Sequence, residues 1–415
     1  MPIVGSEAAA ATYEDRWLSF GSGAALVPER LLRAHARGEV LFVTGAGTSR
    51  ASGLPDFKGL VLEAYRQLDG PLFASVSHAL GNGGVATPQV PPLSHKQSAE
   101  VTRFLASDYD VALGMLERRV DGATGASTKV RDKVCEILRN IKDAHGHTSP
   151  PKPSQIHRSL VRLAERGGAT TIVTTNFDRL LQAAAPRKGR RVRTHALGAI
   201  PRPGRGSAFA GVLHIHGVLS LDPTELSDVV VTDQDFGEFY LRRRVVPDFI
   251  YDAARLFHLV LVGYSANDAP MRYLLNAVAA DGSRFDDLKE RFAFVGMPVP
   301  NNEVTIEDWK GRGITPIPYD DSGDHSQLGT TLSRWAELSP LNGAPRKIDT
   351  LVRRIVRQPR SSVTQGERDL VDHIFRRSAF NERLRLAGLA SDAGADADWL
   401  GAIAGIGSEA DKGTI

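Results

Sequence analysis

The sequence predicts an α/β protein: a mostly parallel β-sheet with helices on both faces. Three observations carry that expectation. Short apolar runs recur along the 415 residues and stop at glycine or polar residues. Amphipathic helical patterns lie between several of these runs. The chain is 42% hydrophobic and 24% charged, a globular balance that excludes a fibrous or wholly disordered protein.

Taken in order, residues 28–37 carry a short helical pattern closed by Gly38. Residues 39–44 are an apolar run of strand length that ends at glycines, which suits a buried strand better than a helix. The same reasoning predicts strands at 170–174, 212–216, 259–263 and 292–295, and a weaker one at 314–317. Helical patterns occupy 155–165, 177–184 and 271–280. In such sheets ligands bind beyond the carboxyl ends of the strands, so chemistry is to be sought in the polar residues just after each run.

Residues 64–150 break the alternation. Val130, Val134, Ile137, Leu138 and Ile141 recur at helical spacing and form one buried face. Residues 104–118 are a second helix, and the Gly-, Pro- and Ser-rich stretch 71–94 reads as a mobile entry loop, so the block is expected to be a helical insert that acts as a lid. Three parts follow: an N-terminal extension (1–37), a main domain (38–340) containing the insert, and a C-terminal segment (341–415) for assembly. In that last segment Thr364 and Glu367 have capping-box spacing ahead of Leu370, Val371, Ile374 and Phe375.

A net charge of +3 is too even to argue for nucleic-acid binding. The basic clusters 186–193 and 242–244 lack interleaved aromatics for base stacking and read as solvated loops or subunit contacts. The lone cysteine, Cys135, excludes a disulfide framework and a four-thiolate zinc site within one chain. His145 and His147 flank a glycine with no acidic cluster or cysteine nearby, so a surface loop is the better reading than a metal site. No basic region followed by an apolar core opens the sequence, and no apolar run approaches the roughly 20 residues of a membrane span. A cytoplasmic protein is expected.

Gly45-Ala46-Gly47-Thr48-Ser49 follows the first strand, where backbone N–H groups can approach a pyrophosphate without a Cβ in the way. The third glycine of the dinucleotide fingerprint is absent, since position 50 is Arg, and no acidic residue ends a second strand about 20 residues later. By itself the loop is equally a tight strand-to-helix turn. Asn176 and Asp178, after the second strong strand, are by themselves helix caps. His216 titrates near neutrality and can take a proton from a hydroxyl or a water. His214, two residues earlier, reads as packed or solvent-facing.

The continuation Gly53-Leu54-Pro55-Asp56-Phe57 after that loop resembles the NAD-binding segment of the sirtuin superfamily, which consumes NAD by cleaving its nicotinamide bond. Lys58 stands where many sirtuins have arginine. Thr174-Thr175-Asn176-Phe177-Asp178 is similar to the family's Thr-x-Asn-x-Asp motif, and His216-Gly217 to its His-Gly pair. Gly263-Tyr264-Ser265 with Asp268 resembles the adenosine-binding segment of prokaryotic sirtuin-like proteins. The resemblance covers residues 38–335 and implies a Rossmann-like fold. It implies Asn176 and His216 as catalytic residues, and Gly45, Ala46, Gly47, Thr48, Ser49, Pro55, Asp56, Phe57, Asn176, Gly263 and Ser265 as NAD contacts. Asp178 and Asp268 read as caps.

Typical deacylating sirtuins carry a small zinc domain on four cysteines, which Cys135 cannot supply. The helical insert stands in its place, and no zinc is expected. The prokaryotic relatives imply an NAD⁺ glycohydrolase of antiphage defence that depletes NAD when triggered. They also imply a homo-oligomer and a partner such as a HerA-type ATPase or an Argonaute-like protein, with neither direct nucleic-acid binding nor membrane association. A protein deacylase or ADP-ribosyltransferase, and a non-catalytic NAD or ADP-ribose sensor or scaffold, stay open as alternatives.

Overall fold

The computed structural model describes residues 16–81, 92–122, 128–142, 147–185, 192–204, 206, 208–222, 225, 228–264, 288–298, 303–322, 325–341 and 343–412. It divides into two units, one from 1–40, 296–300 and 317–415, the other from 41–295 and 301–316.

The smaller unit opens with an antiparallel hairpin, β1 (Trp17–Ser19) and β2 (Leu26–Pro28), followed by the helix Glu29–Ala36. Its other helices are Ser326–Leu338, Pro345–Val356, Gln365–Arg377, Phe380–Asp392 and Ala397–Lys412. Thr364 and Glu367 form the expected capping box at the head of Gln365–Arg377. Glu29, 1% exposed, accepts hydrogen bonds from His373 Nδ1 at 3.0 Å and Arg376 Nε at 2.9 Å. The first helix and the C-terminal segment therefore share one core.

The larger unit holds the sheet. Its strands are β3 (Val40–Thr44), the small ribbon β4 (Ile141–Lys142) and β5 (Thr148–Ser149), β6 (Glu165–Arg166), β7 (Ala169–Thr174), β8 (Thr194–Ala196), β9 (Gly211–His214), β10 (His258–Val262) and β11 (Arg291–Met297). A final strand, β12 (Thr315–Asp320), begins in this unit. The strands lie side by side in the order β11-β10-β3-β7-β9-β8, with β6 folded back on β7 as a hairpin. Pairing is parallel from β3 through β7 and β9 to β8, and between β10 and β11, which confirms a mostly parallel sheet flanked by helices. β3 is buried along its whole length, as its unbroken apolar run requires. Later strands leave β3 in opposite directions, so its border with β10 is the topological switch point, where such sheets place ligands.

The insert is helical, in more pieces than the sequence suggests. The helices Phe57–Leu68, Gly70–Ala79, His95–Leu105, Tyr109–Val120 and Lys129–Arg139 enclose a core that includes Val61, Tyr65, Val76, Phe104, Leu113 and Val134. Part of the stretch read as an entry loop is helix: Asp69 caps it by accepting from Leu72 N at 3.1 Å, and Pro71 sits in the first turn, where its missing N–H costs nothing. Residues 82–91 lie outside the described residues. The single helix expected over 104–118 is two, broken at Ser107, whose φ of 65° is left-handed.

Three of these helices meet on one guanidinium. Arg119 reaches Glu100 at 2.6 Å and Asp69 at 2.7 Å, and the two carboxylates are 1% and 7% exposed. Removing one partner of a buried ion pair strands the other charge, at a cost of about 3–5 kcal/mol. Arg119→Ala should lower the unfolding free energy by about that much in urea titration. Glu100→Gln combined with Arg119→Met should recover part of the loss and not all of it, since Asp69 still lacks its cation.

Candidate active site

The carboxyl ends of β3 and β10 meet backbone to backbone. Gly45 N–H donates to Val262 O and Gly47 N–H to Gly263 O, each at 2.9 Å. A Cβ on Gly45 would stand 2.8 Å from Gly263 O, and one on Gly263, at φ +76°, would stand 2.5 Å from Thr48 N. These glycines are required by that contact alone. Tyr264 follows directly. Its hydroxyl donates to Thr44 O at 2.9 Å and lies 3.0 Å from Thr175 Oγ1, so the ring crosses the ends of β3 and β7 against Gly45.

Beyond this contact, hydroxyl groups fix the orientation of Asn176. Thr48 donates its proton to Gly45 O at 2.8 Å, and Ser49 donates its own to Asp178 Oδ2 at 2.8 Å. Both hydroxyls must then accept, and Asn176 Nδ2 donates to each at 3.1 Å. The amide oxygen faces away from them, and among the described residues nothing hydrogen-bonds it. Ser49 Oγ also lies 3.3 Å from His157 Nε2. His157 Nδ1 accepts from Ser154 N at 3.2 Å, so its Nε2 carries the proton and donates to Ser49. Asp178 is a cap, as expected, accepting from Leu180 N at 2.9 Å, and it is also the acceptor for Ser49.

β7 and β9 pair in register, Thr174 opposite His214. Asn176 and His216 each lie two residues past that pair, at neighbouring strand ends. His216 is beyond the strand, since β9 stops at His214, two residues short of the limit expected for the run 212–216. His214 is packed: its Nδ1 donates to Asn176 O at 2.8 Å, and its Nε2 accepts from Gln182 Nε2 at 2.7 Å. His216 Nε2 stands 2.5 Å from the Tyr240 hydroxyl, and the Phe236 ring meets the imidazole edge-on at 5.5 Å. Gly217 permits this turn, because a Cβ there would come within 1.9 Å of Asp228 O.

Burial holds all three histidines neutral. It pushes His216 down to about 3 and His214 to about 4, and burial together with the nearby Arg158 charge pushes His157 to about 4. Burial moves Asp178 in the opposite sense, upward.

The other expected contacts divide. Asp56 caps the helix Phe57–Leu68 by accepting from Gly59 N at 2.8 Å, and Phe57 packs edge-on against Tyr109 at 6.4 Å. Pro55 and Asp56 line a cavity of 520 Å³ together with Arg50, Glu63, Arg66 and Asn140; neither Asn176 nor His216 borders it. Ala46 makes the turn between β3 and the short helix Gly47–Arg50. Ser265 and Asp268, the helix at 271–280, His145 and the basic stretch 186–191 lie outside the described residues. Arg242 and Arg243 pair with Glu238, and Arg244 with Asp248, which accounts for the second basic cluster locally. No group of three or more His, Cys, Asp or Glu suited to a metal ion occurs among the described residues. No helix among them is long and apolar enough to cross a membrane.

Sequence reasoning missed Tyr240, His157 and the Tyr264 ring. For His157 a signal existed: Ser154 three residues earlier is capping-box spacing with histidine in the acidic position.

Residues 170–317 match the family model of the SIR2-like domain, a span that takes in Asn176, His216 and Gly263 but begins after the glycine loop. The chain is also similar to uncharacterized protein y4cA of Sinorhizobium fredii, 33% identical over 321 residues. That alignment covers 75% of this chain and 24% of the other, so the chain spans about a quarter of the length of the curated relative it matches.

Three neutral buried histidines make stability fall with acid. The unfolded chain takes up protons below about pH 6.5, whereas His157, His214 and His216 resist protonation down to about 4, 4 and 3. Their contribution is complete above pH 6.5 and is lost toward pH 4, at roughly 1 kcal/mol per histidine per pH unit. Urea midpoints measured from pH 7.5 to 5 should drop, and His214→Asn should flatten the slope by about a quarter, because His373, which burial likewise pushes down to about 4, contributes beside the other three. A flat profile for the unmodified chain contradicts this account.

Proposed function

We propose that this chain, which carries a SIR2-like domain at residues 170–317, is an NAD⁺ glycohydrolase that splits the nicotinamide–ribose bond to give nicotinamide and ADP-ribose. SIR2-like domains use NAD. The observation that carries the finer reading is the placement of four motifs on adjacent strand ends. In sheet order these are Gly263 after β10, Gly45–Ser49 after β3, Asn176 after β7 and His216 after β9. They straddle the switch point and its neighbours, where an open parallel sheet binds its ligand.

The chemistry asked of these groups is modest. The C1′–N bond breaks through a transition state with oxocarbenium character, its electron pair neutralises the departing nicotinamide ring, and water supplies the new C1′–O bond. Asn176 would offer its amide oxygen to a ribose hydroxyl or to the water, without adding charge beside the developing cation. Its Nδ2, held by Thr48 and Ser49, fixes the angle of that oxygen. His216 would receive the proton lost by the hydroxyl or water, and a bound pyrophosphate would favour its charged form.

Asn176 and His216 are 9% and 6% exposed, and Tyr264 covers the β3 end. Such burial suits an effector kept silent until a trigger opens it. The resemblance to prokaryotic defence proteins supports NAD depletion against phage, a homo-oligomeric state, a HerA-type or Argonaute-like partner and a cytoplasmic setting.

The test follows nicotinamide and ADP-ribose after mixing NAD⁺ with the full chain, alone and with the product of the neighbouring gene. Asn176→Ala and His216→Ala should each lower the rate by about 100-fold or more, with unfolding midpoints within a few degrees of the parent. Release that needs an acylated peptide, or label appearing on protein, would replace this reading by the deacylase or transferase one. NAD⁺ left intact under every condition would leave a binding protein.

A further inference from the structure

We infer that Tyr240 is the group through which His216 exchanges its proton, an assignment that rests on the role proposed for His216. The imidazole is buried, and the phenol oxygen lies 2.5 Å from Nε2. A neutral imidazole has one lone pair to offer, and a phenol hydroxyl held against it donates into that lone pair. With the phenol as donor, the proton of the imidazole lies on Nδ1 and its acceptor, Nε2, faces Tyr240. A proton reaching His216 then arrives from the tyrosine hydroxyl. In the balanced step, the O–H bond of a ribose hydroxyl or the attacking water breaks toward Tyr240 Oη. The tyrosine's own proton passes to Nε2. Tyr240 ends as a neutral phenol, the positive charge rests on the imidazolium, and that proton leaves later to solvent.

The backbone around Tyr240 is built to hold this placement. Residues Gly237–Arg242 form a π-helical turn, a wide and uncommon element found mainly where a side chain must be re-aimed. Phe236 packs on Tyr240 at 5.4 Å and on His216, closing an aromatic triangle. The segment is also clamped from the insert. Arg131 donates to both oxygens of Asp235 at 2.9 and 3.0 Å, to Glu117 at 2.6 Å and to Val229 O at 3.1 Å. Arg118 grips Asp233 through a second pair at 3.0 and 3.3 Å. Burial works against the charge of Arg131, but Asp235 and Glu117 outweigh it and its pKa stands above the ordinary value. Asp235 in turn accepts from Thr232, which starts the short helix leading into the π-turn. Two arginines of the insert thus fix the element that aims Tyr240.

Tyr240→Phe in the full chain keeps the ring and removes only the hydroxyl. Nitrogen NMR of the histidine-labelled protein, with His216→Gln assigning the resonance, reads the tautomer directly. The unmodified chain should show His216 protonated at Nδ1, and Tyr240→Phe should bring in the Nε2-protonated form. In nicotinamide release, kcat should fall about 100-fold while KM changes less than about threefold, a split that a loss of packing would not produce. An Nε2-protonated His216 in the unmodified chain, or an unchanged kcat in Tyr240→Phe, overturns the assignment. If neither protein cleaves NAD⁺, alone or with the product of the neighbouring gene, the glycohydrolase reading fails by itself, and the tautomer still decides whether Tyr240 orders His216.

Discussion

One hydroxyl carries the site. Ser49 Oγ donates to Asp178 and accepts from both Asn176 and His157, joining the loop after β3, the end of β7 and the helix Gln155–Leu163. Each partner lies more than 100 residues from Ser49 in sequence, so only the finished sheet brings them to one point. The consequence is directional. Because Ser49 and Thr48 have already given away their protons, Asn176 can sit only with its nitrogen toward them. A serine-to-alanine change there would leave Asp178 to the Leu180 N–H and leave Thr48 alone to hold the amide.

The same economy governs the charges. Three imidazoles and an amide line the ends of β7 and β9, and none needs to be ionised in the resting chain. Burying a charge costs far more than burying a neutral polar group with its partners satisfied. Asp178 is the exception, and the Ser49 hydroxyl and the Leu180 N–H satisfy it. A site of this kind stays folded by itself, and its Asn176 amide oxygen is an acceptor that no described residue uses.

Fold class and motif order were legible because both follow from local pattern. Five short apolar runs become buried strands near the predicted limits, and Gly45, Asn176, His216 and Gly263 stand just past them. Elements governed by single backbone choices were not legible. Ser107 adopts a left-handed φ that nothing in Phe104-Leu105-Ala106-Ser107 announces, and so one expected helix becomes two. Gly70 and Pro71 suggest a loop until Asp69 is seen to cap a helix start. Tyr240 was beyond reach altogether, since it meets His216 from 24 residues away on a π-turn that has no sequence signature. The N- and C-terminal segments read as separate pieces because Glu29, His373 and Arg376 are joined only by tertiary contact.

The insert is a body with an interior of its own. It brings its own core, centred on Tyr65, Phe104 and Leu113, and its own buried ion cluster at Arg119. Its two remaining arginine clamps, Arg118 and Arg131, point outward from that core to Asp233 and Asp235. A well-packed block thus grips, at two points, the short helix that leads into the π-turn and carries Phe236 of the aromatic triangle over His216. The distance between insert and imidazole is spanned by two ion pairs and one ring. That chain of contacts joins the insert to His216 without passing through the sheet that supports it.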